Sequence, residues 1–349
     1  YTLTGGTHNF MVNRRVVGVS GTRLYDATTN AVASDLSTHA NLVGSQTLNL
    51  SGTGTIASKD VGSNKTVSVG TLALADGSNG GLAANYTLSG GTHQLTVNQR
   101  PLNATLARQY DGTTTSAGST LSSLDALQGG ETLTMTGSGT AASANVANGI
   151  TMSSNGNLAL ANGTGAASNY SLNSTVINIA KRVLNSSGSK TYDANTDALA
   201  ADITLSNLVT GEALNHSGTA TISSANAGSY TITNLAGITI ADGSGGAASN
   251  YTLTGGTHNF TVNRRPLNAT LARQYDGTTA AAGSTLSSFD ALQGGETLTL
   301  SGSGTAANDN VANGISVSSL GTLALVNGTG AASNYSLNSA AINITQRVL

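Results

Sequence analysis

The stretch RPLNATLARQYDGTT at Arg100–Thr114 occurs again, unchanged, at Arg265–Thr279, an offset of 165 residues. Within it, Leu102, Ala104 and Leu106 alternate with polar neighbours. Such a period of two is typical of a β-strand that buries one face. A sequence that copies itself at a fixed interval indicates a tandem-repeat architecture, in which each copy is one structural module. The repeat therefore predicts an array of β modules.

Two residue pairs mark the period of this array. The pair Tyr-Asp at the end of the stretch occurs four times, at spacings of 85, 82 and 83 residues. The pair Asn-Tyr follows each Tyr-Asp pair after about 60 residues. The pairs are Tyr25-Asp26, Tyr110-Asp111, Tyr192-Asp193 and Tyr275-Asp276, then Asn85-Tyr86, Asn169-Tyr170, Asn250-Tyr251 and Asn334-Tyr335.

A longer period overlies the first, because the run YTLTGGTHNF at Tyr1–Phe10 recurs at Tyr251–Phe260. The array therefore alternates two module types, A and B. The predicted boundaries are 1–14 for the C-terminal piece of a preceding module, 15–99 (A1), 100–181 (B1), 182–264 (A2), 265–346 (B2) and 347–349 for the start of a next module. We expect the first piece to complete a preceding module or to donate a strand to it, and the chain to be a window on a longer array.

Each module holds short alternating stretches separated by turn signals such as Asp111-Gly112 and Asn148-Gly149. Alternation is typical of antiparallel sheets, and six or seven strands in a module of this size match a small sandwich. We therefore predict an all-β fold of small antiparallel, immunoglobulin-like β-sandwich modules placed end to end as an elongated rod. Pro101 and Pro266 would stiffen the junctions. The helix-like spacing of Leu121–Leu127 leaves a β-grasp-like module with one short helix as the alternative.

The composition excludes several classes of function. Charged residues make up 9% of the chain and the net charge is −2, so there is no basic excess to neutralise nucleic-acid phosphates. The chain has no cysteine, which rules out disulfides and thiolate chemistry. No run of 18 apolar residues occurs, so we predict no membrane span. Hydrophobic residues amount to 38%, which favours a folded chain with a thin core over a disordered one.

The repeated tyrosines and aspartates are the candidate site residues. A Tyr-Asp pair would suit proton transfer, and an exposed tyrosine would suit a sugar. Because the pairs recur in every module, we favour a structural interpretation, with tyrosines partly in the core and each aspartate accepting backbone N–H groups of a turn. The second tyrosine of each module would act as an anchor resembling a tyrosine corner. The predicted repeat-anchoring residues are Tyr25, Asp26, Tyr86, Tyr110, Asp111, Tyr170, Tyr192, Asp193, Tyr251, Tyr275, Asp276 and Tyr335.

The remaining reactive residues do not form a recognisable catalytic or metal site. His8, His93 and His258 recur in GGTH sequences, a module or more apart, and zinc needs converging ligands. They are predicted to lie in surface turns. Asp76 and Asp242 occupy turns where the B modules have asparagine, which argues against calcium. We predict no catalytic residue, no metal and no cofactor, and therefore no enzyme.

The module resembles the YDG domain and the related MBG repeats of large bacterial adhesins of the filamentous-haemagglutinin type. The resemblance rests on YDGTT (Tyr110–Thr114), LQGGETLTMTGSGT (Leu127–Thr140), NVANGI (Asn145–Ile150) and ANGTGAASNYSL (Ala161–Leu172), and it covers the whole chain four times. The sequence departs from the pattern in YDA at Tyr25 and Tyr192 and in the alanine-rich NVANG. Neither departure is expected to touch a core position.

The resemblance implies a structural stalk or fibre segment of a secreted bacterial surface adhesin or extracellular filament. Such a protein would lie outside the cell and support attachment, aggregation or biofilm matrix. The implied partners are neighbouring modules of the same chain, other copies packed laterally, and surface polysaccharide or host glycan. The alternative is a repeated, lectin-like binding module, which a shallow groove with exposed aromatic residues would favour.

Overall fold

The structure is a computed structural model that describes residues 5–7 and 9–348, apart from the side chains of residues 38 and 39. His8 and part of the piece assigned to a preceding module thus lie outside the described residues. The chain divides into two compact units, Tyr1–Ala180 and Lys181–Leu349. Strands hold 52% of the residues and helical turns 5%, and the sheets are barrel-like, which confirms the all-β prediction.

The first unit contains modules A1 and B1. The strands of A1 are β1 (Arg15–Val16), β2 (Gly18–Leu24), β3 (Asn30–Val32), β4 (Leu36–Ala40), β5 (Leu48–Ser51), β6 (Thr53–Ile56), β7 (Gly62–Ser68), β8 (Ala73–Asp76), β9 (Tyr86–Thr87) and β10 (His93–Asn98). Those of B1 are β11 (Arg100–Gln109), β12 (Thr120–Leu124), β13 (Leu133–Thr136), β14 (Thr140–Ala141), β15 (Ala147–Ser154), β16 (Ala159–Asn162) and β17 (Tyr170–Ala180).

The second unit contains modules A2 and B2. The strands of A2 are β18 (Arg182–Val183), β19 (Asn185–Thr191), β20 (Asp197–Leu199), β21 (Ile203–Ser206), β22 (Leu214–Ile222), β23 (Gly228–Asn234), β24 (Ile238–Asp242), β25 (Tyr251–Thr252) and β26 (His258–Asn263). Those of B2 are β27 (Arg265–Gln274), β28 (Thr285–Phe289), β29 (Leu298–Ser301), β30 (Thr305–Ala306), β31 (Ala312–Ser319), β32 (Ala324–Asn327) and β33 (Tyr335–Thr345).

The main sheet of each module is mixed. In B1 its order is β12-β11-β17-β15-β14, and in A1 it is β3-β6-β7-β10-β2-β4. The first long strand lies parallel to the last one in every module: β2 with β10, β11 with β17, β19 with β26, and β27 with β33. The prediction of purely antiparallel sheets is therefore wrong. Alternation along a strand fixes which face is buried but not the direction of the neighbouring strand.

The parallel pairing sets one register in all four modules. An arginine at the start of the first strand lies opposite the tyrosine of the Asn-Tyr pair. The paired residues are Arg15 and Tyr86, Arg100 and Tyr170, Arg182 and Tyr251, and Arg265 and Tyr335. A short 3-10 turn precedes each of these tyrosines and ends at its asparagine, for example Ala167–Asn169 before Tyr170. The other three are Ala83–Asn85, Ala248–Asn250 and Ala332–Asn334, and further 3-10 turns form at Ala33–Asp35 and Ala200–Asp202.

The stretch with helix-like spacing is not helical, since it contains strand β12, antiparallel to β11. Leu121 pairs with Leu106 but Ser123 pairs with Thr105, so Ser122 is an extra residue in the ladder. Such a bulge shifts the phase of the strand by one residue. Leu121 and Leu124, three apart, are both half-buried as a result. The bulge imitates a helical spacing, so the expectation of a short helix within Leu121–Leu127 is wrong.

The core of each A module continues into the B module that follows it. In the first unit one cluster of buried residues includes Tyr25, Leu95 and Val97 of A1 with Leu102 and Tyr170 of B1. In the second unit the corresponding cluster joins Phe260 and Tyr192 of A2 to Leu267, Leu298 and Tyr335 of B2. Because small modules bury little apolar surface alone, the shared cluster stabilises both partners.

Candidate functional site at the joint between modules

The Tyr-Asp motif builds the loop that follows the first long strand of each module. Each aspartate accepts a hydrogen bond from the backbone N–H two residues further on. The Oδ1–N distances are 2.9 Å from Asp26 to Thr28, 2.9 Å from Asp111 to Thr113, 3.2 Å from Asp193 to Asn195 and 3.0 Å from Asp276 to Thr278. This closed turn fixes the backbone of the tyrosine one residue earlier, so the ring is presented in one orientation.

A basic side chain three residues before each aspartate completes the loop. Arg23, Arg108, Lys190 and Arg273 each form an ion pair with their aspartate, and their side chains are at most 8% exposed. Each also donates to a backbone carbonyl further along the loop; for Arg23 this is the carbonyl of Thr28, at 2.6 Å. Sequence reasoning missed these cations, although a basic residue stands two positions before every one of the four tyrosines.

Substituting Asp26 by alanine is expected to lower the free energy of unfolding of the first unit by about 2 kcal/mol, because the buried Arg23 guanidinium loses its ion pair and the backbone N–H of Thr28 loses its acceptor. Asp26→Asn keeps Oδ1 as an acceptor and should cost less than half as much. Urea denaturation followed by circular dichroism measures both effects. Equal losses for the two variants would contradict this role of the aspartate.

The tyrosine of this loop is inserted into the next module. In the first unit the Tyr25 ring packs edge-on against the Tyr170 ring, with centroids 5.2 Å apart and an interplanar angle of 76°. Both hydroxyls donate to one carboxylate: Tyr25 Oη lies 2.6 Å from Glu131 Oε1, and Tyr170 Oη lies 2.8 Å from Glu131 Oε2. The backbone N–H of Gln128 donates to Tyr170 Oη at 3.1 Å. We call Tyr25, Glu131 and Tyr170 the tyrosine–glutamate joint.

The second unit contains an equivalent tyrosine–glutamate joint, formed by Tyr192, Glu296 and Tyr335. The rings of Tyr192 and Tyr335 lie 5.3 Å apart at 77°. Tyr192 Oη donates to Glu296 Oε1 at 2.6 Å, and Tyr335 Oη donates to Glu296 Oε2 at 2.5 Å. The two joints differ in one partner, because Lys59 Nζ lies 2.5 Å from Glu131 Oε1 and 5.8 Å from the Tyr25 ring centroid, whereas the corresponding residue of A2 is Ala225.

Two further contacts connect the A module to the B module in each unit. The carboxamide of Asn169 accepts from the N–H of Val61 at 2.9 Å and donates to Asp60 at 2.9 Å. Asn334 makes the same pair of bonds in the second unit, to Ala227 at 2.8 Å and to Asn226 at 3.0 Å. The arginine opposite the second tyrosine donates to the carbonyl of the first one: Arg100 Nε to Tyr25 at 2.6 Å, and Arg265 Nε to Tyr192 at 2.8 Å.

The receiving half of the joint is present in every module. Tyr86 Oη donates to Gln46 Oε1 in A1, and Tyr251 Oη donates to Glu212 Oε2 at 2.6 Å in A2. The side chain that accepts from this tyrosine is therefore a glutamate in three modules and a glutamine in A1. Sequence reasoning did not single it out, although it precedes each Asn-Tyr pair by 38 or 39 residues.

The structure buries most of the predicted anchoring tyrosines. Tyr25, Tyr86, Tyr110, Tyr170, Tyr192, Tyr251 and Tyr335 are at most 4% exposed, whereas Tyr275 is 41% exposed. The prediction that the histidines lie in surface turns is wrong for His93 and His258, which begin β10 and β26 and are 6% exposed. Each holds the carbonyl of the residue five positions earlier at 2.8 Å.

Among the described residues, no group of three or more His, Asp or Glu side chains is arranged to hold a metal ion. In the same part of the chain, none of the helical segments has the length and apolar character needed to cross a bilayer.

The joint favours the ionised form of its carboxylate and the neutral form of its two phenols. Burial, together with the bond to Glu131, raises the pKa of Tyr25, and burial raises the pKa of Tyr170 to about 12. In the second unit, burial and the bond to Glu296 raise the pKa of Tyr192 to about 12 and that of Tyr335 above its ordinary value. Burial also pushes the pKa of Glu131 upward, but the hydrogen bonds from Lys59 and the two tyrosines outweigh it, so this pKa lies below its usual range.

These shifts predict a pH window for the joint. The folded state favours neutral tyrosines, so their contribution is complete below the unfolded pKa of about 10 and disappears as the pH rises through about 12. The Glu131 contribution is present above its unfolded pKa and disappears as the pH falls through the lower folded value. Unfolding free energies measured from about pH 2 to about pH 12 should therefore fall at both ends. Tyrosinate absorption with an ordinary midpoint for every tyrosine would contradict the assignment.

A family model described as the YDG domain matches residues 13–95, 92–177, 180–258 and 263–342. The chain belongs to the YDG domain family. A search of curated proteins gives no match. The third position of the motif that names the family has a positive φ: 78° at Gly112 and 74° at Gly277. In the A modules Ala27 and Ala194 adopt the same left-handed conformation, with φ of 63° and 64°, which costs an L-residue about 1–2 kcal/mol.

The alanine variant of the motif has a structural consequence in the first YDG module. Ala27 packs against the shared core, so the expectation that this departure touches no core position is wrong. It also lies against Gly129 of the next module, where an added Cβ would stand 2.9 Å from the Ala27 Cβ. Gly129 itself has a φ of 58°, so both the turn and the close approach favour glycine there.

Proposed function

We propose that this chain is a structural segment of a secreted bacterial surface adhesin or extracellular filament, in which YDG modules are held in line by tyrosine–glutamate joints. One observation carries the proposal: in each unit, two of the repeated tyrosines bind one carboxylate at the contact between the A and the B module. Repeated residues that form contacts between modules suit a chain that transmits force and keeps its modules at a fixed distance from each other. The predicted extracellular location and the role in attachment, aggregation or biofilm matrix are part of this proposal.

The joint suits a mechanical role because the contacts between its two modules would all break in one step. Separating A1 from B1 would expose two tyrosine rings, remove Tyr25 and Lys59 from the Glu131 carboxylate and break the Asn169 contacts in one step. Such coupling makes neighbouring modules unfold as one cooperative block. The end-to-end rod of immunoglobulin-like sandwich modules, with lateral packing between copies, is the larger architecture that we propose for these blocks.

Stretching single molecules of the chain tests this function. We expect a pair of A and B modules to unfold in one force event, and Glu131→Ala to split that event into two smaller ones. Glu296→Ala is the matched variant in the second unit and should split the other event. If the intact chain already unfolds one module at a time, the joints do not couple their neighbours and the proposal fails.

The lectin-like alternative is favoured by one recess on the second unit. Tyr275, Asp276 and Arg347 line it, so an aromatic ring, an acid and a base face the same space. Sugars are commonly held by such a combination of ring stacking and charged hydrogen-bond partners. Binding of the chain to a panel of immobilised polysaccharides, lost in Tyr275→Ala with an unchanged circular dichroism spectrum, would support this alternative.

A further inference from the structure

Asn-Gly pairs recur along the chain, and this dipeptide can react with itself. The backbone nitrogen of the glycine attacks the Cγ of the asparagine before it, because glycine has no Cβ to hinder the approach. A glycine N–H that donates a hydrogen bond must break that bond first, so such a pair reacts more slowly. The six pairs are Asn79-Gly80, Asn148-Gly149, Asn155-Gly156, Asn162-Gly163, Asn313-Gly314 and Asn327-Gly328.

In five of these pairs the glycine N–H donates a hydrogen bond. The N–H of Gly149 donates to Asn178 Oδ1 at 2.7 Å, and that of Gly314 donates to Asn343 Oδ1 at 2.8 Å. The other three bonds run from Gly156 to Ser154 Oγ at 3.1 Å, and from Gly163 and Gly328 to the carbonyls of Gly165 and Gly330, both at 3.2 Å. Attack by any of these nitrogens therefore costs a hydrogen bond.

The pair Asn79-Gly80 differs from the other five. Among the hydrogen bonds of the described residues, none is donated by the Gly80 N–H. The pair lies at the centre of a turn in which the Gly81 N–H donates to the Ser78 carbonyl at 3.1 Å, with φ of 54° at Asn79 and 78° at Gly80. In such a turn the N–H of the second central residue lies outside the hydrogen-bonded ring. The Gly80 nitrogen is thus available for attack.

The hydrogen bond, and not the surrounding space, distinguishes the pairs. Asn79 and Gly80 are exposed, but so are Asn148 and Gly149. Apart from the neighbouring residues, no heavy atom lies within 4 Å of a Cβ built on Gly149. What Gly149 has and Gly80 lacks is the bond to Asn178. The pair Asn148-Gly149 is therefore a matched comparison within the same chain.

We propose that Asn79 is the residue of this chain that deamidates first in the folded state. The Gly80 nitrogen forms a bond to Asn79 Cγ, the Cγ–Nδ2 bond breaks, and the amide leaves as ammonia with the proton of the Gly80 N–H. Water then opens the resulting succinimide ring at either carbonyl group, which gives aspartate or isoaspartate. Water is the only co-reactant. The inference goes beyond the proposed function and does not depend on the joints.

Deamidation would weaken the attachment of the loop that contains Asn79. Asn79 Nδ2 donates to the Ser45 carbonyl at 2.9 Å, and the Thr47 N–H donates to the Ser78 carbonyl at 3.2 Å. A carboxylate has no N–H to donate, so the bond to Ser45 is lost. An isoaspartate also adds one atom to the backbone of the turn. In A2 the corresponding turn, Ser244-Gly245-Gly246, has no asparagine, so this reaction belongs to A1 and not to A2.

Peptide mapping by mass spectrometry of the whole chain, aged at mildly alkaline pH, tests the inference. We expect Asn79 to deamidate at least about ten times faster than the asparagines of the other pairs, since each of those must break a hydrogen bond first. In the chain unfolded in urea all the pairs should react at similar rates, because these hydrogen bonds are gone. Asn79→Gln should stay unmodified, because its longer side chain closes a larger and less favourable ring.

Asn178→Ala is the variant that tests the protecting hydrogen bond. It removes the acceptor of the Gly149 N–H, so Asn148 should react about ten times faster than in wild type. Asn313 should keep its wild-type rate, because its glycine is held by Asn343. A circular dichroism spectrum equal to that of wild type shows that the variant is folded. An unchanged rate at Asn148 would contradict the role of the hydrogen bond and overturn the inference.

Two outcomes in the wild-type chain also overturn it. One is a folded chain in which another pair reacts as fast as Asn79, and the other is an Asn79 that reacts only in urea. Hydrogen exchange at Thr47 should become about five times faster in aged wild type and should not change with age in Asn79→Gln. Because Asn79 lies outside both joints, Glu131→Ala should split the force event whether or not Asn79 reacts, so the inference and the proposed function are tested separately.

Discussion

Replacing Glu131 by alanine is expected to lower the free energy of unfolding of the first unit by about 3 kcal/mol. Two buried phenols lose their shared acceptor, and hydrogen bonds to charged groups contribute about 1.5–3 kcal/mol each, with a further cost for any hydroxyl left unpaired. Amide hydrogen exchange, read separately for residues of the two units, measures the loss where it arises. The exchange of the second unit should not change.

Glu131→Gln is the matched control for this prediction. Glutamine occupies the same position in A1 and still accepts from one tyrosine there, as Gln46 does from Tyr86. We expect a loss of about 1 kcal/mol, since one charged bond is exchanged for a neutral one. A glutamine variant as unstable as the alanine variant would show that the charge of Glu131, and not its place between two hydroxyls, determines the stability.

Tyr25→Ala should destabilise the chain by about 3–5 kcal/mol, the usual cost of deleting a fully buried aromatic side chain. The Tyr25 ring is 0% exposed and belongs to the core that A1 and B1 share. Chemical denaturation followed by circular dichroism measures the loss. Tyr25→Phe keeps the ring and loses only the bond to Glu131, so it should cost about 1–2 kcal/mol.

Tyr275→Ala is the matched variant at the same motif position. Its ring is 41% exposed, so its deletion should change the free energy of unfolding by less than about 1 kcal/mol. The motif is the same at both positions and only the surroundings differ. Equal losses for Tyr25→Ala and Tyr275→Ala would show that the loop itself, and not the joint, accounts for the effect.

The amino-acid sequence alone determines the period, the strand content and the turn chemistry of this chain. These properties follow from local rules: alternation makes a strand, and an aspartate followed by glycine or alanine closes a turn. The place of Asp26 and its equivalents could therefore be predicted. Their cations, three positions before each aspartate, and the joint glutamates were equally visible as repeated residues. For the glutamates no local rule assigns the partners, because Glu131 pairs with tyrosines 39 and 106 positions away.

Tertiary structure alone decides how the strands pair and where the tyrosines go. The parallel pairing of β11 with β17 joins residues some 70 positions apart, and side-chain alternation is the same in parallel and antiparallel strands. The bulge at Ser122 gives two leucines a helical spacing within a strand. Tyr25 and Tyr275 stand in one motif, yet one is buried and the other exposed, because burial depends on the module that packs against the loop and not on the loop itself.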